Sequence, residues 1–327
     1  MSLLATIRQQ ALTIWPIAAI WNVRQLSTGL VNNTYIIDAA QGDLVLQQLG
    51  DVFGNDPQVI VDQAIIAQQL NALGIPAIGP MLTRDGNFSA RIDGKVSKLS
   101  CFVKNDGSMK GKASARVLCN AAKMLGRMHA ALQRIGYVPK FRVPNFHDQA
   151  HYLSQLHAAS GKSASEKQDR ARTMIEMLAK EMPNYTDSLG THLSIQLIHG
   201  DPKIDNFLFR DEEVRGIIDL DTFMVGSVFL DIGDAFRSWM KQADGTFDHR
   251  SFPRVFDAYA DANPFSELTD KQVLRATKLL SLELATRFLA DYFEEKYFGW
   301  ERSKYVSAAE HNFARAQDMI AYAATII

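Results

Sequence analysis

The chain has 327 residues, of which 47% are hydrophobic and 22% are charged, and its formal net charge is −1. This balance argues against nucleic acid or an anionic membrane as the main partner. The length exceeds what one hydrophobic core usually serves, so we expect two domains or lobes. Cys101 and Cys119 form no CxxC pair, which disfavours a zinc site and fits a reducing cytoplasm.

The N-terminal residues lack the basic start and small-residue cleavage site of a signal peptide, so we expect a helix of the mature protein. The most apolar early run, ALTIWPIAAIW, contains Pro16 and is too short for a membrane span. We therefore expect a cytoplasmic protein without a transmembrane segment.

Short alternating runs in the first hundred residues predict a small antiparallel sheet carrying one helix. The predicted strands are VRQL, TYIID, LVLQQL, IGPMLTR and the hairpin FSARIDGKVSKLSCFV, and the helix covers 57–73. A polar connector at 104–112 ends this region. We place the domain boundary there, which gives an N-terminal lobe of 1–103 and a C-terminal lobe of 104–327.

The C-terminal lobe is predicted to be almost continuously helical, with a hairpin-like segment at 195–221 and a surface loop at 160–170. The predicted helices cover 113–132, 146–159, 165–182, 230–242, 251–260, 269–295 and 303–325. The expected fold class is α+β, with a small antiparallel sheet followed by a mainly helical lobe.

Acidic residues in an apolar setting mark the candidate site. IHGDPKIDNFLF (198–209) places Asp201 and Asn206 between apolar flanks, and GIIDLDT (216–222) adds Asp219 and Asp221. Taken singly, such residues are typical of turns. Together with His199, however, they give H-x-D-x-x-x-x-N, the spacing that protein kinases use for the catalytic Asp and the metal-binding Asn.

This spacing suits phosphoryl transfer, in which a carboxylate orients the attacking hydroxyl and accepts its proton while a divalent metal neutralises phosphate charge. Asp201 is the candidate carboxylate. Asn206 and Asp219 offer the hard oxygen ligands that Mg²⁺ prefers.

The segments HGDPKIDNFLF, GIIDLDT and LDIGDAFRSW resemble the aminoglycoside phosphotransferase (APH) family of small-molecule kinases, which have a protein-kinase-like fold. STGLVNNTYII, LELATRFLADYF and HNFARAQ are similar to the N-acetylhexosamine 1-kinases of that family, so the resemblance runs from about 24 to 317. It implies an N-terminal nucleotide-binding lobe, a C-terminal lobe with the catalytic loop and substrate site, and phosphorylation of the anomeric hydroxyl of a sugar with ATP and Mg²⁺.

The resemblance also implies roles for individual residues. Asp201 would be the base, and Asn206 and Asp219 would hold Mg²⁺, with Asp221 supporting them or binding a second metal. Lys203 would reach the transferred phosphate, or else be a solvated turn residue. The residues expected to be structural, bracing the catalytic loop through the arginine, are Asp231, Asp234 and Arg237.

One departure concerns the lysine that kinases carry on the third strand, paired with a glutamate on the next helix. Gln47 stands at that position, and the predicted helix has no glutamate. Either loop amides, Mg²⁺ and Lys203 hold the phosphates, or the chain is a catalytically silent nucleotide-binding protein; we favour activity. The candidate nucleotide contacts are Thr28, Gly29, Asn32, Asn33, Gln47 and Val103, of which Asn32 and Asn33 could instead face the sugar.

The helix segment SLELATRFLADYF gives information about the phosphate acceptor, because Glu283, Arg287 and Asp291 share one face of the helix. They form either an internal charge ladder or, through Arg287 and Asp291, contacts to the acceptor. Mixed charges in the C-terminal helices favour a neutral sugar. An aminoglycoside, choline or homoserine remain alternative acceptors.

Overall fold

The computed structural model describes residues 2–26, 31–188 and 195–327. The chain divides into two compact units, each assembled from separated segments. The first unit comprises Met1–Ser108, Ala131–Val143 and Asn206–Val225, and the second comprises Met109–Ala130, Pro144–Asp205 and Gly226–Ile327. The predicted N-terminal lobe thus lies within the first unit, which also takes in two later segments.

An antiparallel sheet with the strand order β1-β2-β3-β5-β4 forms the centre of the first unit. Its strands are β1 (Ile20–Gln25), β2 (Asn33–Ala39), β3 (Leu44–Gln48), β4 (Ala90–Ile92) and β5 (Lys95–Cys101). Side chains alternate between the two faces of a strand. One face, which includes Tyr35, Leu46 and Leu99, packs against helix α1 (Leu3–Ile14).

The opposite face of the sheet carries helix α2 (Gln58–Ala72), and Val96 of β5 packs with Val59 and Ile60 of this helix. At the turn between β4 and β5, Asp93 and Gly94 have φ values of 49° and 77°. These values suit the two-residue hairpin turn that an Asp-Gly pair predicts.

The predicted strand IGPMLTR, residues 78–84, is wrong. This segment runs as irregular chain, although Ile78 N–H donates to the Ile217 carbonyl and Met81 N–H to the Leu99 carbonyl. Pro76 and Pro80 supply no N–H groups, which prevents a regular ladder.

The hairpin-like segment contains the hairpin of β7 (Phe207–Arg210) and β8 (Glu213–Ile217) in the first unit, whereas β6 (Ile195–Ile198) pairs with β9 (Met224–Ser227). Short 3₁₀ turns at Ile204–Asn206 and Leu220–Thr222 flank the hairpin. The candidate site residues therefore lie at strand ends and in tight turns.

Helices dominate the second unit, and α8 packs against α4, α5, α6 and α9. The helices are α3 (Ala115–Leu132), α4 (Gln149–Gly161), α5 (Ser165–Ser188), α6 (Val228–Trp239), α7 (Phe252–Ala262), α8 (Asp270–Glu294) and α9 (Ala308–Ala324). The loop predicted at 160–170 is shorter than expected, because α5 begins at Ser165.

Two local features fix the course of α8. Thr269 and Gln272 form a reciprocal capping box at its start, which satisfies free N–H groups of the first turn. Gly233 of α6 allows the close approach of α8, since a Cβ at this position would lie 2.7 Å from the Ala276 carbonyl oxygen. Within the described ranges, no helix has the length and apolarity needed to cross a membrane.

Candidate active site

The loop that carries the candidate base is held by a buried carboxylate. Asp231 of α6 accepts hydrogen bonds from the backbone N–H groups of His199 and Gly200, both at 2.7 Å. It also contacts His129 Nε2 at 3.0 Å, and the other ring nitrogen of His129 lies 2.8 Å from the Tyr259 hydroxyl. Asp231 thus anchors the His-Gly-Asp turn directly.

Burial alone would raise the pKa of Asp231, but the hydrogen bond and charge of His129, together with His199 and the Gly200 N–H, hold it below its ordinary value. Asp231 is therefore ionised at neutral pH. Arg237 pairs with Asp234 at 2.6 Å, whereas Asp231 contacts the loop directly, so the predicted bracing through Arg237 stays a prediction.

A second buried group holds the same loop from its carbonyl side. His147 Nε2 lies 2.7 Å from the Gly200 carbonyl oxygen, and Nδ1 lies 2.8 Å from Glu283 Oε1. Burial lowers the pKa of His147, but Glu283 and the carbonyl outweigh it and raise the pKa to about 9. A protonated imidazole donates at both nitrogens, which matches these two acceptors.

The loop itself requires glycine at its centre, because Gly200 has a φ of 85°. Asp201 follows it and forms an ion pair with Lys203. The Asp201 side chain is 27% exposed, so a substrate can reach it. The ion pair gives Lys203 a partner and does not support the alternative of a solvated turn lysine.

The candidate metal ligands Asn206 and Asp219 lie at the same end of the β7–β8 hairpin in the first unit. Phe207 pairs with Ile217, and Ile218 N–H donates to the Asn206 carbonyl at 3.0 Å. Asp201 belongs to the second unit.

Asp219 has φ 59° and ψ 47°, a left-handed conformation that costs energy for a residue with a Cβ. Such strain is concentrated at functional sites. The amide oxygen of Asn206 and the carboxylate of Asp219 are hard donors, so this pair fits Mg²⁺ and would hold it. In the described ranges, no group of three or more His, Cys, Asp and Glu side chains is placed to hold a metal.

Asp221 contrasts with Asn206 and Asp219, because both of its carboxylate oxygens accept hydrogen bonds from side chains of the same unit. Oδ1 pairs with Lys98 Nζ at 2.6 Å, and Oδ2 accepts from Asn32 Nδ2 at 2.6 Å. The structure thus does not support the predicted metal role of Asp221, which serves as the counter-charge of Lys98.

The predicted nucleotide loop is only partly described. Thr28 and Gly29 lie outside the described residues, and Asn33 is the first residue of β2. Asn32 donates to Asp221 and accepts from the Gly50 N–H at 2.9 Å, so both ends of its amide are used within the protein. These bonds do not support the predicted contact of Asn32 with nucleotide or sugar.

The remaining two nucleotide candidates lie on β3 and after β5. The carbonyl of Val103 accepts from Asn105 Nδ2 at 2.8 Å within the connector. Gln47 of β3 is half-buried and stands directly opposite Lys98 of β5 in the sheet register.

The sequence analysis missed Lys98, a buried lysine whose ammonium contacts Gln63 of α2 at 2.5 Å as well as Asp221. A signal was present, since KVSKLSC places a lysine in the middle of an apolar strand. Only the pairing of β3 with β5 shows that this lysine faces Gln47.

The charge ladder considered for α8 does not form. Glu283 binds His147 and Gln149, while Asp291 accepts from the N–H groups of residues 296, 297 and 298 at 2.7–2.8 Å and from Asn312 Nδ2 at 2.8 Å. These four bonds account for the carboxylate of Asp291. They do not support its predicted contact with the acceptor.

Arg287 lies between Glu283 and Asp291 but pairs with neither. Its guanidinium lies 5.2–5.8 Å from the ring centroids of Phe146, Tyr152, Tyr297 and Phe298, and its hydrogen bond is to the Tyr297 hydroxyl at 3.3 Å. Burial lowers the pKa of Arg287, but the tyrosines, Glu283 and Asp201 raise it above its ordinary value. Arg287 is thus a charged donor within electrostatic reach of Asp201.

An antiparallel sheet carrying one helix, a mainly helical second part and an H-G-D-x-x-x-x-N loop define a protein-kinase-like phosphotransferase of small molecules. The chain belongs to the APH family, the phosphotransferase enzyme family, which it matches over residues 22–265.

A curated relative is the homoserine kinase of Agrobacterium fabrum, which is 23% identical over 295 residues, covering 88% of this chain and 84% of the relative. Among solved structures, a microcompartment-associated aminopropanol kinase superposes with a TM-score of 0.72 at 18% identity, covering 98% of this chain and 96% of the other. The amicoumacin kinase hAmiN, in complex with AMP-PNP, Ca²⁺ and its antibiotic, has a TM-score of 0.68 at 14% identity, covering 97% and 93%.

These comparisons confirm the expected fold class and the APH family. The chain is a phosphotransferase that uses an alcohol group as acceptor.

Proposed function

We propose that the chain is an ATP- and Mg²⁺-dependent kinase that phosphorylates the anomeric hydroxyl of an N-acetylhexosamine or a similar sugar. The observation that carries the kinase assignment is the His-Gly-Asp turn. Asp231 and His147 hold its backbone from both sides. Asn206 and Asp219 come later in the sequence, at one end of the β7–β8 hairpin, and Asp219 has a left-handed backbone. A turn fixed by two buried charged groups presents its carboxylate without a reorganisation cost.

In this proposal Asp201 orients the acceptor hydroxyl and takes its proton as the hydroxyl oxygen bonds to the γ-phosphorus of ATP. The bond from that phosphorus to the bridging β–γ oxygen breaks, and ADP leaves. Asn206 and Asp219 would hold Mg²⁺, which when bound would neutralise phosphate charge. Lys203, which forms an ion pair with Asp201, supplies positive charge for the negative charge of the transferred group.

Arg287 supplies acceptor recognition in this scheme. A guanidinium carries five N–H donors, and the hydrogen bond that Arg287 makes among the described residues is to the Tyr297 hydroxyl. The carbonyl oxygen of an N-acetyl group and sugar hydroxyls are suitable acceptors, and the flat rings can stack on a pyranose.

A second candidate acceptor is a small amino alcohol that bears a carboxylate. The same guanidinium has no carboxylate partner among the described residues, and a carboxylate is its strongest organic acceptor. Homoserine has this chemistry, and the curated relative named above is a homoserine kinase.

The test is ADP release by the full chain with ATP and Mg²⁺ over N-acetylglucosamine, N-acetylgalactosamine, homoserine, aminopropanol, choline and kanamycin. We expect turnover with an N-acetylhexosamine and a phosphorus NMR signal coupled to the anomeric proton. Turnover with homoserine alone would replace the first candidate by the second.

Turnover only with kanamycin or choline would overturn both acceptor candidates. No turnover on any acceptor, together with Mg²⁺-dependent ATP binding, would instead favour a catalytically silent nucleotide-binding protein.

A further inference from the structure

The lysine expected on β3 of a kinase is replaced by Gln47, yet a lysine stands directly beside it. Gln47 pairs with Lys98 in the antiparallel register of β3 and β5. Directly opposed residues of an antiparallel pair project on the same face of the sheet. The ammonium of Lys98 therefore lies on the same face of the sheet as the side chain of residue 47.

The surroundings of Lys98 also match those of the missing lysine. The ammonium contacts Gln63 Oε1 on α2, the helix that follows β3, and pairs with Asp221 after β8. In kinases the partner is a glutamate of that helix. In this chain the helix supplies a neutral amide, and the negative charge comes from Asp221.

Stability alone does not account for this pair. The side chains of Lys98 and Asp221 are 7% and 4% exposed, and burying two such charges costs about as much as their attraction returns. An ammonium has three N–H donors, and the two contacts of Lys98 use two of them. Gln63 Nε2 is buried and has no hydrogen-bond partner among residues 2–26, 31–188 and 195–327. Two donors without acceptors at one place favour an anionic ligand.

We propose that Lys98, from β5, takes the place of the β3 lysine and binds the phosphates of the nucleotide, with Gln63 and Asp221 positioning its ammonium. This inference rests on the proposed function, which supplies the nucleotide as the ligand. It adds a phosphate-binding residue that comes from β5 instead of β3. It also resolves the departure at Gln47, because the chain keeps a phosphate-binding lysine.

The experiment compares binding of Mg-ADP and of adenosine by calorimetry in the wild type and in Lys98→Gln. Adenosine lacks the phosphates, so its affinity is expected to stay unchanged. We expect Mg-ADP to bind about 10- to 100-fold more weakly, the range for losing a charged hydrogen bond. The matched control is Lys95→Gln, which removes an exposed lysine from the same strand and should leave both affinities unchanged.

A relocation variant sharpens the test. Gln47→Lys combined with Lys98→Gln returns the lysine to β3, and we expect it to regain Mg-ADP affinity by about tenfold relative to Lys98→Gln. If Lys98→Gln does not fold, judged by thermal unfolding, the comparison uses Lys98→Gln/Asp221→Asn, which removes both buried charges together.

Equal Mg-ADP affinity in the wild type and the folded Lys98 variant would overturn the role of Lys98 alone. Equal weakening of Mg-ADP and adenosine would also overturn it, since that result indicates a general structural effect. Failure of the wild type to bind Mg-ADP at all would overturn the proposed function itself. None of these measurements requires the acceptor to be known.

Discussion

Single side chains at this site are defined as much by their partners as by their position in the motif. Asp201 and Asp291 are both carboxylates in polar surroundings. Asp201 pairs with Lys203 and is partly exposed, whereas Asp291 is buried under three backbone N–H groups and an asparagine amide. The first can reach a substrate, and the second is committed to the fold.

Replacement of Asp201 by Asn should lower kcat by ~10²–10⁴, the range for losing a positioned acid–base group. The KM for ATP should change little, because Asp201 is assigned to the acceptor hydroxyl. Steady-state ADP release checks this, with Asp205→Asn from the same loop as the control. A rate near that of the wild type would refute the assignment of Asp201 as the base.

Replacement of Arg287 by Gln should raise the KM of the acceptor by about 10- to 100-fold, because a charged donor is lost. The KM of ATP should stay unchanged. Arg302→Gln, an exposed arginine, is the control. If both KM values rose together, the assignment of Arg287 to the acceptor would be wrong.

The pKa of His147 predicts a pH dependence of stability. Its pKa is raised from 6.5 to about 9 in the folded chain, so its contribution is full below pH 6.5 and is lost as the pH rises through 9. The difference in unfolding free energy between the wild type and His147→Gln should therefore shrink over this window.

Urea denaturation at intervals from pH 6 to pH 10 measures this difference, and His157→Gln, an exposed histidine of α4, provides the comparison. A difference that does not vary with pH would contradict the protonated state assigned to His147.

At the scale of elements, the C-terminal end of α8 is fixed by its own side chain. Asp291 binds the N–H groups of residues 296–298, where the chain leaves the helix, and also Asn312 of α9. This arrangement ties the end of α8 to α9 and sets the start of the segment that carries Tyr297 and Phe298 beside Arg287.

Asp291→Ala should destabilise the chain by roughly 1–3 kcal/mol, because it leaves buried donors without an acceptor. Chemical denaturation measures the effect, with Glu294→Gln one turn away as the control. At a temperature where the variant is folded, its acceptor KM should stay within about threefold of the wild type, since α8 packing still holds Arg287. A loss of acceptor binding in a fully stable variant would instead support the contact between Asp291 and the acceptor that the sequence predicts.

At the scale of the whole molecule, nucleotide and metal should stabilise the folded chain together. A ligand present at 100 times its Kd stabilises by about 2.7 kcal/mol. We expect this shift with Mg-ADP, and a smaller one with ADP plus a chelator. Asp219→Asn should remove the Mg²⁺-dependent part, while Asp85→Asn, an exposed carboxylate, should leave it intact.

Thermal unfolding of the full chain measures this linkage. An equal shift with and without Mg²⁺ in the wild type would contradict the metal assignment of Asp219.

Much of the architecture follows from local patterns. Alternating apolar residues predict β2 and β3, Asp93-Gly94 predicts the β4–β5 turn, and the 3.6-residue period predicts α8 nearly to its ends. Local patterns fail at 78–84, where the prolines at 76 and 80 prevent a regular strand, while the helix predicted at 165–182 is confirmed by α5.

The candidate site divides in the same way. The sequence by itself predicted the H-G-D-x-x-x-x-N loop and Asp219, because the signal is the spacing of polar residues within one short stretch, 199–219; their catalytic roles stay predictions. Only the tertiary structure decided that Lys98 faces Gln47, that Asp221 neutralises Lys98, and that Asp231 and His147 hold the His-Gly-Asp turn. These contacts join residues far apart in the chain, and strand register and helix packing, which no local pattern encodes, bring them together.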